Sequence, residues 1–240
     1  MNTPVWRLRW RVAASRRRLL AWNVLVPVIV LLPVALSSAA APHRAAVIGV
    51  FITFFGTFGS CIPLVRDRQR GWSEKVRLTG YGPRRWLSER TAAETSLDLI
   101  ELAPVLIVTY LAVGSGAGSF VSALPAVALA LLAANLLGSL VAAFVASIAE
   151  AALACGAAAL FALHFSGLFR SATPDTWAWH LERTGPFRPL VGALRDGLSG
   201  GGHAGPEMVP WAGSLVAVAA LALLVLSVAP RLTRRVPGGT

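Results

Sequence analysis

Residues Arg66–Arg90 read RDRQRGWSEKVRLTGYGPRRWLSER and lie between two long apolar runs. They hold eight of the chain's 22 basic residues, including Lys75, the only lysine. A segment this charged cannot enter hydrocarbon, so it sits in water or at headgroup level while its neighbours cross a bilayer. The excess of positive charge places that water in the cytoplasm. Within the segment, Gly71, Gly80, Gly82 and Pro83 divide the chain into short pieces rather than one long helix. Arg70 and Glu74, four residues apart, would share a helix face and can pair.

Working outward, the composition is 55% hydrophobic and 14% charged, with a mean hydropathy of +0.65. These values describe a polytopic membrane protein, not a water-soluble globule. The net charge of +11 would suit nucleic acid, but the arginines cluster beside apolar runs and form no stripe with interleaved aromatics, so no nucleic-acid partner is expected. Cys61 and Cys155 both fall inside apolar runs and imply no disulfide framework.

A spanning helix needs about 20 mostly apolar residues. Six stretches qualify: Leu19–Ala41, Ala45–Val65, Thr95–Val113, Phe120–Ser147, Ala151–Phe169 and Val209–Pro230. The fold class is therefore all-α, a single membrane-embedded domain over residues 1–240. With both termini in the cytoplasm, 17 of the 22 basic residues lie inside and five outside. The reversed orientation would translocate the three richest segments.

Residues 1–18 place Trp6, Trp10 and Ala13 on one helix face and Arg7, Arg11 and Arg18 on the other. This pattern fits a helix lying in the inner-leaflet interface against anionic lipid, and a disordered basic tail is the simpler alternative. Ser15–Ala21 is similar to a twin-arginine export signal, but the following apolar run is longer than such signals use, so cleavage near Ala39 is not expected.

The third span opens with Glu94, Asp98 and Glu101, all on one face within about two turns. Acids at membrane depth must meet a cation or water. Either they line the inner mouth of a pathway, or they pair with Arg16, Arg17 or Arg90. Asn135 in the fourth span is either interhelical glue or a substrate contact. Gly114–Ser119 reads as an external turn and Glu150 marks a cytoplasmic one. Residues 170–209 are too polar to cross but carry Trp177, Trp179, Phe187, Leu190, Leu194 and Leu198, so they belong at the outer interface. Ser199–Gly205 reads as a flexible end to that segment.

Three motifs carry a resemblance. Arg66, Asp67, Gly71, Glu74 and Thr79 match the coupling segment of type-2 ABC transporter permeases. His164–Phe169, HFSGLF, is similar to the SGLF element that ends their fifth span. Gly185–Arg195, GPFRPLVGALR, resembles their following helical element, with Pro186 and Arg195 in register. Together the motifs span roughly Cys61 to Leu198. The resemblance implies a membrane subunit of an ABC exporter, in the cell membrane, moving a hydrophobic or amphipathic compound such as a drug, antibiotic, peptide or lipid-linked glycan.

Arg66, Asp67, Arg70, Gly71, Glu74, Arg77 and Thr79 would then couple to a separate ATPase subunit. Residues 170–209 would form a re-entrant helical hairpin, with Ser166, Gly167, Pro186 and Arg195 at an outer gate. A second permease subunit, identical or different, would complete the path. The chain has no GxxxxGK[ST] loop, so no cofactor or metal of its own is expected, and the partner holds ATP and Mg. Other classes compete. A membrane scaffold or immunity protein would show no dependence on an ATPase. An intramembrane enzyme would need a nucleophile and base, yet His164 and Ser166, two apart in a helix, point to different faces, and neither HExxH nor GxSxG occurs.

Overall fold

The structure, a computed structural model, describes residues 4–112, 116–169, 171–199 and 211–233, without the side chains of Leu19, Ser73, Glu74, Arg77 and residues 116–118. The described residues form helices α1 Val5–Ser15, α2 Arg17–Ala35, α3 Ala41–Gln69, α4 Trp72–Leu78, α5 Pro83–Ala112, α6 Gly116–Ala142, α7 Ile148–His164, α8 Trp177–Thr184, α9 Arg188–Leu198 and α10 Trp211–Leu232. The all-helical class read from the sequence holds.

The span count differs in detail from six. Among the described residues, four segments are long and apolar enough to cross a membrane: α3, α5, residues 119–142 of α6, and α10. The bent pair α1 and α2, which meet at 77°, makes a fifth if taken together. The remaining apolar helix, α7, has 17 residues. Boundaries also move. Gly116–Ser119, expected in a turn, already belong to α6, and 113–115 lie outside the described residues. The Ser199–Gly205 end lies outside them beyond Ser199.

The long helices overshoot the bilayer. At 1.5 Å per residue, the 29 residues of α3 and the 30 of α5 each extend well beyond a hydrocarbon core of about 30 Å. Residues 66–90 are thus not one loop. α3 continues to Gln69, α5 starts at Pro83, where a missing N–H costs a helix nothing, and only residues 70–82 connect them.

α3 and α6 form the central pair. A Cβ on Gly56 would lie 2.8 Å from the Ala134 methyl, and one on Gly138 would overlap the Thr57 carbonyl oxygen. Lipid gives no hydrophobic reward for joining helices, so close approach through small residues and dense packing hold such a pair together. Ile52, Leu64, Ala130, Leu131 and Ala134 are buried there, with α5, α7 and α9 packed around the pair.

Contacts sort the elements into two ends. At one, Arg68 donates to the Ala142 carbonyl that terminates α6, Gln69 Nε2 donates to Ala146 O at 3.0 Å, Glu89 Oε2 accepts from the Val5 amide of α1 at 2.7 Å, and the Arg231 guanidinium lies over the Phe144 ring at 5.1 Å. At the other, Arg44 Nη2 donates to the last carbonyl of α9, Leu198 O, at 3.2 Å, Ser214 Oγ to Gly185 O at 2.8 Å, and Tyr110 Oη to Ala193 O at 3.0 Å. α1, α4, the α6–α7 turn and the end of α10 share the first end. α8 and α9 share the second with the start of α10.

Gly138→Ala must push α3 from α6 and should cost roughly 1–3 kcal/mol. Gly156→Ala, with nothing within 4 Å of the added carbon, should be neutral or stabilising by up to about 1 kcal/mol. Denaturant unfolding in detergent distinguishes the two.

Candidate functional site

The connection between α3 and α5 is built by two glycines. Gly71 has φ +69° and Gly80 φ +75°, a left-handed conformation that residues with a Cβ rarely adopt. Gly71 follows the end of α3 as a helix terminator and frees α4 to leave at a new angle. It also separates Arg70, the C-cap of α3, from α4. The expected Arg70–Glu74 face is therefore not formed by one continuous helix, and the side chains of Glu74 and Arg77 lie outside those described. On α4, Trp72, Lys75 and Leu78 are exposed, with Leu78 at 77%. Thr79 Oγ1 closes the end of α4 on Val76 O at 2.7 Å. Arg66 and Arg70 are exposed beside it.

Where the end of α3 meets the start of α5, a part-buried ionic cluster surrounds one arginine. Arg90 is 0% exposed. Its Nη1 donates to Asp67 Oδ2 of α3 at 2.7 Å and its Nε to Glu94 Oε1 of α5 at 2.8 Å. Arg9 of α1 approaches the same two carboxylates at 3.6 and 3.7 Å. Two cations and two anions share one site that ties both arms of the connection to the amino-terminal helix. Glu89 adds a second tie. It accepts from the Val5 amide, from Tyr81 Oη at 2.6 Å and from Arg85 Nε at 2.9 Å. Burial and the Glu89 carboxylate push the Tyr81 hydroxyl above its ordinary pKa.

The cluster continues inward as hydrogen bonds. Ser60 Oγ of α3 lies 3.0 Å from Glu94 Oε2 and also contacts Asn135 Oδ1. With one proton, the hydroxyl serves one acceptor at a time. Asn135 Nδ2 donates to Asp98 Oδ2 at 2.8 Å and to Thr95 Oγ1 at 3.2 Å. Asn23 Nδ2 of α2 donates to Glu101 Oε1 at 3.1 Å. Of the three acids expected on one face, only Glu94 meets arginines. Arg16 and Arg17 form no ion pair among the described residues. Asp98 and Glu101 are held by amides, which satisfy oxygens without cancelling charge.

At the other end, Gly167 has φ +73°, and a Cβ there would overlap the Glu182 carboxylate. Glu182 Oε1 accepts from Arg188 Nη1 at 2.9 Å, and its Oε2 from the Ala172 amide at 2.8 Å. Arg195 Nη2 donates to Gly167 O at 2.8 Å, and Ser166 Oγ to Leu163 O at 2.7 Å. Half-buried Pro186 lies in the turn joining α8 and α9. Gly167 and Arg195 thus meet, with Glu182 against Gly167 and paired with Arg188, while the Ser166 hydroxyl is spent on its own helix end. His164 is exposed while Ser166 is buried, and the two form no nucleophile–base pair.

The sequence reading missed Arg9, Ser60, Glu89 and Glu182. Arg9 had a signal: it shares the face of Trp6 and Ala13 at helical spacing, so an arginine there must find a partner. Ser147 and Glu150 had one as well. The S-x-x-E pattern appears as Glu150 N donating to Ser147 Oγ at 3.1 Å.

Apolar spans joined by a water-facing connection define a multi-pass membrane protein. Residues 4–198 match the family model described as ABC-2 type transporter. The chain belongs to that family, a class of transport membrane subunits that associate with an ABC ATPase. A search among curated proteins finds no match.

Arg90→Ala leaves Asp67 and Glu94 with Arg9 alone as a cation, at 3.6 and 3.7 Å, and should destabilise the protein by about 2–4 kcal/mol. Arg85→Ala, at an exposed pair, should cost under about 1 kcal/mol. Thermal unfolding of the purified variants checks the contrast.

Proposed function

We propose that this chain is the membrane-spanning permease subunit of an ATP-driven exporter, moving a hydrophobic or amphipathic compound out of the cell. The observation that carries the reading is α4, a short helix isolated by two left-handed glycines. It displays Trp72, Lys75 and Leu78 to water while Arg90 locks the arms on either side. An exposed tryptophan and leucine on a polar segment suit a protein partner better than solvent. The partner is the ATPase subunit, which binds ATP and Mg. Arg66, Asp67, Arg70, Gly71, Glu74, Arg77 and Thr79 form the coupling region. Closure of the ATPase moves α4, and the Arg9–Asp67–Arg90–Glu94 cluster passes that displacement to α1, α3 and α5 as one body.

In this reading the end bearing α4 is cytoplasmic, as are both termini, in the cell membrane, with α1 lying against lipid at the inner interface. The whole chain acts as a single permease domain, and a second permease subunit, identical or different, completes the pathway. Glu94, Asp98, Glu101 and Asn135 line or brace its inner part. Ser166, Gly167, Pro186 and Arg195, in the re-entrant segment, close its outer end.

The test is co-expression with a P-loop ATPase, followed by co-purification and ATP-dependent efflux. Combined Trp72→Ala and Leu78→Asp should reduce retained ATPase and efflux at least tenfold without altering membrane insertion. Undiminished efflux would refute the coupling role. For orientation, a cysteine at Lys75 should react with an impermeant maleimide only from the cytoplasmic side, and one at Ser171 only from outside.

A further inference from the structure

Arg68 of α3 is a cation without an anion. Only 7% of it is exposed, it donates from Nη1 to the Ala142 carbonyl that ends α6, and its Nε is buried with no partner. Asp67, its neighbour in sequence, faces Arg90 and Arg9 instead, and Glu150 turns to the Ala146 amide at 2.8 Å. A second guanidinium meets the same turn. Arg231 of α10 lies 5.1 Å from the centre of the Phe144 ring, two residues after Ala142. Neither arginine makes an ion pair among the described residues. The C-terminus of α6 offsets their charge only in part, by about half an elementary charge, and a charge at the edge of hydrocarbon needs a full partner or water.

The surroundings choose the anion. Arg231 is exposed and stands seven residues after Leu224, two turns along the same face of α10. Leu224 is exposed too, on a helix that keeps most of its surface outside the protein, and so is Phe144 beneath the guanidinium. An anion seated between the two arginines therefore borders apolar helix surface. A free inorganic ion gains nothing from that surface, whereas a lipid covers it.

We propose that Arg68 and Arg231 bind the phosphate of an anionic lipid headgroup against the α6–α7 turn, with an acyl chain lying along the Leu224 face of α10. A guanidinium fork gives phosphate two parallel hydrogen bonds, and basic sites between spanning helices at a cytoplasmic face hold headgroups in this way. The bound lipid bridges α3 to α10, a pair that the Arg9–Asp67–Arg90–Glu94 cluster does not join. The proposal requires only that the chain spans a membrane. It does not depend on the exporter reading, and its test contains no transport measurement.

Full-length protein in detergent is titrated with dioleoyl phosphatidylglycerol, with dioleoyl phosphatidylcholine and, separately, with inorganic phosphate. Native mass spectrometry counts bound lipid, and thermal unfolding is followed in parallel. Phosphatidylglycerol should bind in preference to phosphatidylcholine and raise the unfolding temperature. Arg231→Gln should weaken that binding roughly fivefold and remove the rise, and Arg231→Lys should restore part of both. Arg84→Gln, which removes an exposed arginine of α5 at the same end, should change neither. Arg68→Gln should act as Arg231→Gln does, but Arg68 also closes α6, so the exposed Arg231 decides the outcome. Undiminished binding in Arg231→Gln, or an equal loss in Arg84→Gln, would overturn the site. Equal binding of the two lipids would overturn its anionic selectivity, and an equal rise with inorganic phosphate alone would overturn the lipid as its source.

Discussion

A guanidinium with no exposure to solvent is the constraint from which this architecture follows. Arg90 could occupy its position only because Asp67 and Glu94 reach it with charge-assisted hydrogen bonds of 2.7 and 2.8 Å. Once those bonds exist, the end of α3 and the start of α5 can no longer move independently. A buried pair is weak evidence for stability as such, because desolvation offsets most of the attraction. Its contribution here is geometric: it fixes the distance between two helices that a run of glycines would otherwise leave adjustable.

The same economy recurs at several helix ends. Arg68 closes the terminus of α6, and Arg44 reaches the last carbonyl of α9 and, at 3.4 Å, Ala35 O of α2. Each arginine satisfies carbonyls that a helix end leaves without partners. Polar side chains thus do at the ends what glycines do in the middle, where α3 and α6 cross almost backbone to backbone. In a bilayer, neither task can be left to the hydrophobic effect.

Function divides along the same lines. In the proposed coupling role, exposed residues of α4 form the surface that meets the ATPase, and the ionic cluster that joins α1, α3 and α5 passes a push on that surface to whole helices. The inward chain through Ser60 and Asn135 to Asp98 connects α3, α5 and α6 at membrane depth. At the opposite end Gly167, Glu182, Arg188 and Arg195 brace a short turn against α8 and α9. The chain belongs to the ABC-2 type transporter family.

Much of this was legible in the chain itself. Charge exclusion from hydrocarbon located the water-facing connection, apolar runs located the membrane helices, and Gly71 and Gly80 marked breaks that only residues without a Cβ accept readily. Those inferences rest on properties of single residues or short windows. Which acid meets which base does not. Glu94 found Arg90 and Arg9, while Asp98 and Glu101, one and two turns further along the same face, found Asn135 and Asn23. Arg90 and Glu94 stand four apart on one helix face, a local pattern, but the other choices depend on how α1, α2, α3 and α6 are placed around α5, and partners separated by 23 residues, as Asp67 and Arg90, or by 85, as Arg9 and Glu94, leave none. Helix lengths beyond the apolar core were hidden for a related reason. α3 and α5 extend into water because their polar ends pack on each other, and that support exists only in the assembled fold.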